Sequence, residues 1–253
     1  MKAVLYICHG SRVKKGCEQA IEFVRQVQKE ISIPIQEIAF LELARPTIKD
    51  AFLRCIEKGA DEVYIIPILL FAAGHVKTDI PKILLQLQVS YPSVTILYGE
   101  PIGVHKSVSE ILKNRIKETG VPIKDHAGVL LVARGSKDKD MQLDFNELAR
   151  RFKQKTEYFY VKTSYLTGAS PSFEEALEEM VNESQLKQIF VLPYLLFTGL
   201  LMKGMEKKIR DLDTEKDVIL CRYLGYDPLL KEAVQDRVKN ALKMGEIHVS
   251  YYG

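Results

Sequence analysis

Two imidazoles and one carboxylate stand at the ends of apolar runs in the first half of this 253-residue chain. His9 follows the run Ala3 to Cys8, and Glu42 follows Ile35 to Leu41. His75 follows Val63 to Phe71 through the segment Ala72-Ala73-Gly74. Imidazole and carboxylate together suit a borderline divalent ion such as Fe²⁺ or Co²⁺, in a site left open to further ligands. They also let the ion go, whereas a thiolate set would hold it as structural zinc is held. The same groups accept protons, since a free imidazole titrates near about 6.5 and a free Glu near about 4.3. A site of this kind suits the exchange of a metal for protons.

The elements that must position these residues are strands and helices in alternation. The apolar runs are rich in branched residues throughout, as parallel strands covered on both faces are. Between them lie amphipathic stretches such as Ile48, Ala51, Phe52, Cys55 and Ile56, with Pro46 expected at the helix start and Gly59 at its stop. The pattern predicts an α/β fold in which ligands bind beyond the carboxyl ends of the strands.

The chain is also a repeat. Val4 to Arg12 answers to Val129 to Lys137, Pro46 to Pro171, Ala51 to Ala176, Pro67 to Phe71 to Pro193 to Phe197, and Gly103 to Gly225. The helical stripe returns as Phe173, Ala176, Leu177, Met180 and Val181. Two similar lobes are therefore expected, 1–122 and 123–253, each a parallel β-sheet flanked by helices. A final helix at about Pro228 to Met244 could cross back onto the first lobe. The duplication acts as an internal control: His9 becomes Arg134, Glu42 becomes Thr167 and His75 becomes Leu201, while the glycines and prolines around them are kept. A lone His after a strand is more often a hydrogen-bonded structural residue. Three polar residues lost together favour a functional site, carried by the first lobe alone.

Composition narrows the partners. A net charge of +3 gives no basic excess of the kind a nucleic-acid protein shows. No apolar stretch approaches the roughly 18 residues a membrane span needs, and Ala3 to Cys8 is too short for a signal-peptide core, so a cytoplasmic protein is expected. Cys8, Cys17, Cys55 and Cys221 form no metal or cluster spacing and are expected as reduced, packed thiols. Gly10 to Gly16 matches neither phosphate-binding glycine pattern, and no G-x-S-x-G nucleophile elbow occurs.

The motifs Cys8-His9-Gly10-Ser11-Arg12, Glu42-Leu43-Ala44-Arg45-Pro46 and Pro67 to His75 resemble those of the class II chelatases. Nearly the whole chain is similar to the duplicated members that serve siroheme synthesis. That resemblance implies insertion of Fe²⁺ into sirohydrochlorin without ATP, releasing two protons, in a cleft between two lobes. The metal is then a substrate, with no permanently bound cofactor. The family's histidine pair falls on His9 and His75 and its acidic residue on Glu42, as metal ligands or as acceptors of the pyrrole protons. Some relatives carry a histidine-rich or cysteine-bearing tail; the residues Glu246 to Gly253 show neither pattern, so an auxiliary cluster or metal-storage tail is not expected.

A substrate with eight carboxylates needs cationic donors, Arg for bidentate pairing and Lys as a point charge. Arg12, Arg45, Lys77, Arg134 and Lys203 are the candidates, with Ser11 and Ser136 adding hydrogen bonds. Each basic residue reads equally well as a solvated surface charge, and Lys14 and Lys15 read better so. His105 is a weaker candidate for substrate contact, and His126 and His248 read as exposed loop or tail residues. The alternatives are a cobalt chelatase for cobalamin synthesis, or a protein that binds metal or tetrapyrrole without turnover. A monomer is expected, with a dimer as the alternative.

Overall fold

The computed structural model describes residues 1–243, the side chain of His75 excepted. In the first repeat the order is β1 (Lys2–Cys8), α1 (Lys14–Gln28), β2 (Ile35–Phe40), α2 (Ile48–Glu57) and β3 (Glu62–Ile68). A single π turn (His75–Asp79) then leads into α3 (Ile80–Ser90), β4 (Thr95–Tyr98) and α4 (Val108–Lys117). The second repeat runs β5 (Ala127–Ala133), α5 (Lys139–Gln154), β6 (Tyr160–Tyr165), α6 (Phe173–Asn182), β7 (Gln188–Tyr194), α7 (Leu200–Arg210), β8 (Asp217–Leu220) and α8 (Pro228–Lys243). No helix among the described residues is long and apolar enough to cross a membrane.

Each repeat forms its own four-stranded parallel sheet, ordered β2-β1-β3-β4 and β6-β5-β7-β8. The apolar runs explain this. Leu5 and Ile7 of β1 join Phe52 of α2 and Leu84 of α3 in one core cluster. Val4 and Tyr6 point to the opposite face by the two-residue period of a strand and are equally buried. A strand covered on both faces can hold no polar residue in its middle, so its chemistry is confined to its ends.

The repeated helices α2 and α6 start at the same kind of device. Thr47 and Asp50 form a capping box at α2, and Ser172 and Glu175 form one at α6. Pro46 therefore lies just outside its helix rather than in its first turn, because Thr47 supplies the side-chain oxygen that satisfies an orphan amide. Gly59 follows α2 at φ +89°, a left-handed stop. Cys8, Cys55 and Cys221 are buried thiols whose pKa burial pushes up to about 12.

The compact units are drawn differently from the sequence repeat of 1–122 and 123–253. One unit comprises Met1–Gly103 with Lys231–Gly253, and the other comprises Val104–Leu230. The helix that ends each repeat is thus grouped with the other repeat's sheet. Two arginines at matching positions show why. Arg115 of α4 donates to Asp227, in the segment between β8 and α8, at 2.6 Å. Arg237 of α8 donates to Glu100 at 2.7 Å and to the Ile102 carbonyl at 2.8 Å, just beyond β4. Ala233, Val234, Val238 and Ala241 of α8 are buried. A side chain on Gly99 would come within 3.4 Å of the Ala241 methyl, so this helix sits close on the first unit's backbone.

Candidate functional site

In the first sheet β1 lies between β2 and β3: the crossover from β1 runs to β2 on one side, and the next returns past β1 to β3 on the other. That makes the carboxyl end of β1 a topological switch point, where the loops part and leave a crevice. Cys8 ends β1 there and His9 follows it.

The chain beyond β1 is tied to the chain beyond β2. The amide of Leu41 donates to the Cys8 carbonyl at 2.8 Å, and that of Glu42 to the His9 carbonyl at 3.1 Å. These bonds carry the pairing past the ends of both strands and set His9 beside Glu42. Gly10 permits the approach: it adopts φ +95°, and a β-carbon there would lie 1.8 Å from the Glu42 carbonyl oxygen. The second repeat keeps the same scaffold. Gly135 adopts φ +91° with Thr167 oxygen 1.9 Å from the place of a β-carbon, and Thr167 donates to the Arg134 carbonyl at 2.9 Å. The backbone is preserved where the imidazole and carboxylate are lost, which separates their presence from the needs of the fold.

The His9 ring has an oxygen near each nitrogen. Nδ1 lies 3.2 Å from the Gly10 carbonyl oxygen, and Nε2 lies 3.6 Å from Glu42 Oε1. With the proton on Nδ1, donated to that carbonyl, Nε2 keeps its lone pair facing the carboxylate. Two ligands of one ion, each about 2.0–2.2 Å from it, stand roughly 3.0–3.4 Å apart at angles of about 90–109°. The observed separation is close to that, and it also suits a proton on Nε2. The His9 side chain is 27% exposed and that of Glu42 44%, so the pair opens to solvent.

His75 opens the π turn, and its side chain lies outside the described residues. Its backbone is placed by the chain beyond β3. The carbonyls of Leu69 and Leu70 accept from the amides of Ile102 and Gly103 at 3.0 and 2.9 Å, and Leu195 and Leu196 do the same for Leu224 and Gly225. The expected pairing of Gly103 with Gly225 holds to the backbone angle, φ +64° against +61°. Among the described side chains no group of three or more His, Cys, Asp or Glu is gathered closely enough to hold a metal.

Of the other residues singled out from the sequence, Arg12, Lys77, Arg134 and Lys203 are exposed. Arg45 is exposed and pairs with Asp50 at 3.4 Å. Ser11 and Ser136 each accept from an amide two residues on, Val13 at 3.0 Å and Asp138 at 3.1 Å, so both shape their turns. His105 Nδ1 is 2.7 Å from the Ser107 hydroxyl. His126 is exposed beside Phe159, and His248 lies outside the described residues.

Two features escaped the sequence reading. Leu43, next to Glu42, adopts φ +61° while 52% exposed, and its counterpart Gly168 takes φ +70°. Tyr98 of β4 donates its hydroxyl to the Val76 carbonyl at 2.9 Å, inside the π turn. Both differ between the repeats as His9, Glu42 and His75 do, so the internal comparison held the signal. A cavity of about 710 Å³ lined by Phe173, Leu177, Lys207 and Asp211 lies between α6 and α7. It lies along helix sides rather than at strand ends, and it takes in none of the candidate residues.

The CbiX family model matches residues 3–119 and again 128–241. The sirohydrochlorin ferrochelatase of Priestia megaterium is 46% identical, over 96% of this chain and 91% of that protein. The sirohydrochlorin cobaltochelatase of the same organism is 35% identical, over 99% of this chain and 83% of that one. SirB from Bacillus subtilis, solved with Fe³⁺, superposes with a TM-score of 0.89 at 37% identity, covering 98% of this chain and 99% of its own.

Proposed function

This chain belongs to the CbiX family, in its two-repeat form, and we propose that it inserts Fe²⁺ into sirohydrochlorin to form siroheme. The observation that carries the reading is the His9–Glu42 pair: an imidazole nitrogen and a carboxylate oxygen 3.6 Å apart at the switch point of a sheet. The relative at 46% identity, matched over 96% of this chain and 91% of its own length, adds the substrate, since it is a sirohydrochlorin ferrochelatase.

The reaction balances without a redox partner or ATP: one divalent ion enters the macrocycle and two pyrrole protons leave. His9 and His75 deliver the ion and take up protons, and Glu42 hands charge to the solvent it faces. A macrocycle held out of plane turns its nitrogens toward the metal. Arg12, Arg45 and Lys77 of the first unit, and Arg134 and Lys203 of the second, are the cations offered to the substrate carboxylates, with Ser11 and Ser136 as neutral donors. Arg12 shares the His9 loop and is exposed. Its replacement by Ala is expected to raise the KM for sirohydrochlorin about threefold to tenfold and leave kcat within twofold, the size of one solvent-exposed hydrogen bond. An unchanged KM in steady-state assays would remove Arg12 from the substrate site.

Cobalt is the second reading. The cobaltochelatase relative is 35% identical over nearly all of this chain, and imidazole with carboxylate accepts several first-row ions. The deciding experiment mixes the purified protein with excess sirohydrochlorin and either Fe²⁺ or Co²⁺ under anaerobic conditions and follows the visible absorption bands. Many turnovers per molecule with Fe²⁺, at a higher kcat/KM than with Co²⁺, are expected. The reverse preference makes the protein a cobaltochelatase. The uncatalysed rate with both ions leaves a binding protein and ends the enzyme reading.

A further inference from the structure

The π turn that begins at His75 is absent from the second repeat, and three other differences accompany its loss. Where the first repeat runs through His75–Asp79 in the π register before α3, the second is already α-helical from Leu200. His75, Pro81 and Tyr98 correspond to Leu201, Lys207 and Leu220. Tyr98 and Leu220 hold the same sheet position, opposite Ile65 in one register and Val191 in the other. Both pack against the core of their own sheet, so the phenol ring serves a purpose Leu220 also serves, and the hydroxyl is what the first repeat adds.

That hydroxyl meets a specific need. In the π register a carbonyl accepts from the fifth residue along, which for Val76 is residue 81. Residue 81 is proline and has no N–H to give, either to Val76 in the π register or to Lys77 in the α register. The Val76 carbonyl takes its bond from Tyr98 instead, at 2.9 Å. Val76 is 7% exposed, so water is a poor substitute there. Burial drives the Tyr98 pKa well above the ordinary phenol value, which keeps the hydroxyl protonated as a donor.

We propose that Tyr98 is the positioning residue of the His75 turn, its hydroxyl replacing the N–H that Pro81 lacks and thereby fixing the π-coiled backbone from which His75 is presented. This rests on the reading of His75 as a metal or proton ligand given above. The distinctive element is the pair: proline takes a backbone donor out of the turn, and tyrosine closes the gap the proline leaves. In the repeat without a ligand at this position, Lys207 restores the N–H, Leu220 carries no donor, and the helix is regular.

The test uses the full chain with Tyr98→Phe, which keeps the ring and removes the hydroxyl, and the double variant Tyr98→Phe/Pro81→Ala, which returns an N–H to residue 81. Tyr98→Phe is expected to lower kcat for Fe²⁺ insertion about tenfold, as a small misplacement of one ligand does, with KM for sirohydrochlorin within twofold. The double variant is expected to recover most of that loss, because Val76 then has a backbone donor. Hydrogen exchange of the amides of residues 75–80 should quicken severalfold in Tyr98→Phe and slow again in the double variant, with β1 and β3 unchanged. Wild-type kcat in Tyr98→Phe, a loss the second substitution does not relieve, or unchanged exchange at residues 75–80 would each overturn the proposal. If the unsubstituted protein inserts no metal, the proposed function fails by itself, and the exchange measurement decides whether Tyr98 holds the turn.

Discussion

Replacing His9 with Ala is expected to lower kcat for Fe²⁺ insertion by about 10²–10⁴-fold, the range for loss of a group that accepts protons in the reaction. The protein should stay folded. The His9 side chain is only partly buried, and its backbone is held by the Glu42 amide, a bond that alanine also makes. A partly exposed substitution of this kind costs about 1 kcal/mol or less, so the unfolding midpoint should move by no more than about 4 °C. Glu42→Gln separates the roles within the pair: it keeps the shape and removes the charge that faces Nε2. A tenfold to hundredfold loss is expected there, about the size of losing the partner that orients a metal-binding imidazole. His9→Ala at a rate within threefold of the unsubstituted protein would remove His9 from the site, whatever its neighbours do.

The largest stability effect is expected at the second unit's buried ion pair. The side chains of Arg115 and Asp227 are 4% and 2% exposed. Asp227→Ala leaves the guanidinium without its buried partner, which costs about 3–5 kcal/mol against a total stability of about 5–15 kcal/mol. Glu118 also reaches Arg115, at 2.9 Å, but it is 45% exposed and offsets little of that loss. Thermal unfolding should therefore come about 6–20 °C earlier. The ion pair of the matching arginine, Arg237 of the first unit, behaves differently. Glu100 is 69% exposed, so Glu100→Ala is expected to cost less than about 1 kcal/mol. Replacing Arg115 and Asp227 together with Met and Leu should recover most of the loss, since an apolar pair of similar volume carries no desolvation cost. An Asp227→Ala variant that melts within 2 °C of the unsubstituted protein would show that this pair does not hold α4 in its unit.

The candidate residues were legible because of where a parallel strand has to put its chemistry. With β1 buried along both faces, the first polar position open to a ligand is the residue that follows, and that is His9. The duplication then separated these candidates from the scaffold, since Gly10 and Gly135 stay while His9 and Glu42 change. Leu43 and Tyr98 were as unequal between the repeats, but neither a leucine nor a tyrosine in an apolar run looks like chemistry until its backbone angle or its hydroxyl partner is seen. The π turn was likewise hidden, because hydrophobic spacing over five residues does not separate a π coil from an α coil.

What the sequence determined by itself was everything written in local periodicity: the apolar parallel strands, the amphipathic helices between them, the repeat, and strand ends bearing imidazole and carboxylate. What only the tertiary structure decided was which sheet each repeat's last helix joins, and how near the strand-end groups come to each other. An amphipathic stripe on α4 or α8 records that a face must be buried, and it does not record against which of two similar sheets. That choice rests on contacts between residues far apart in the chain, Arg115 with Asp227 and Arg237 with Glu100. The 3.6 Å between His9 and Glu42 depends in the same way on a carbonyl that only a glycine at position 10 can admit.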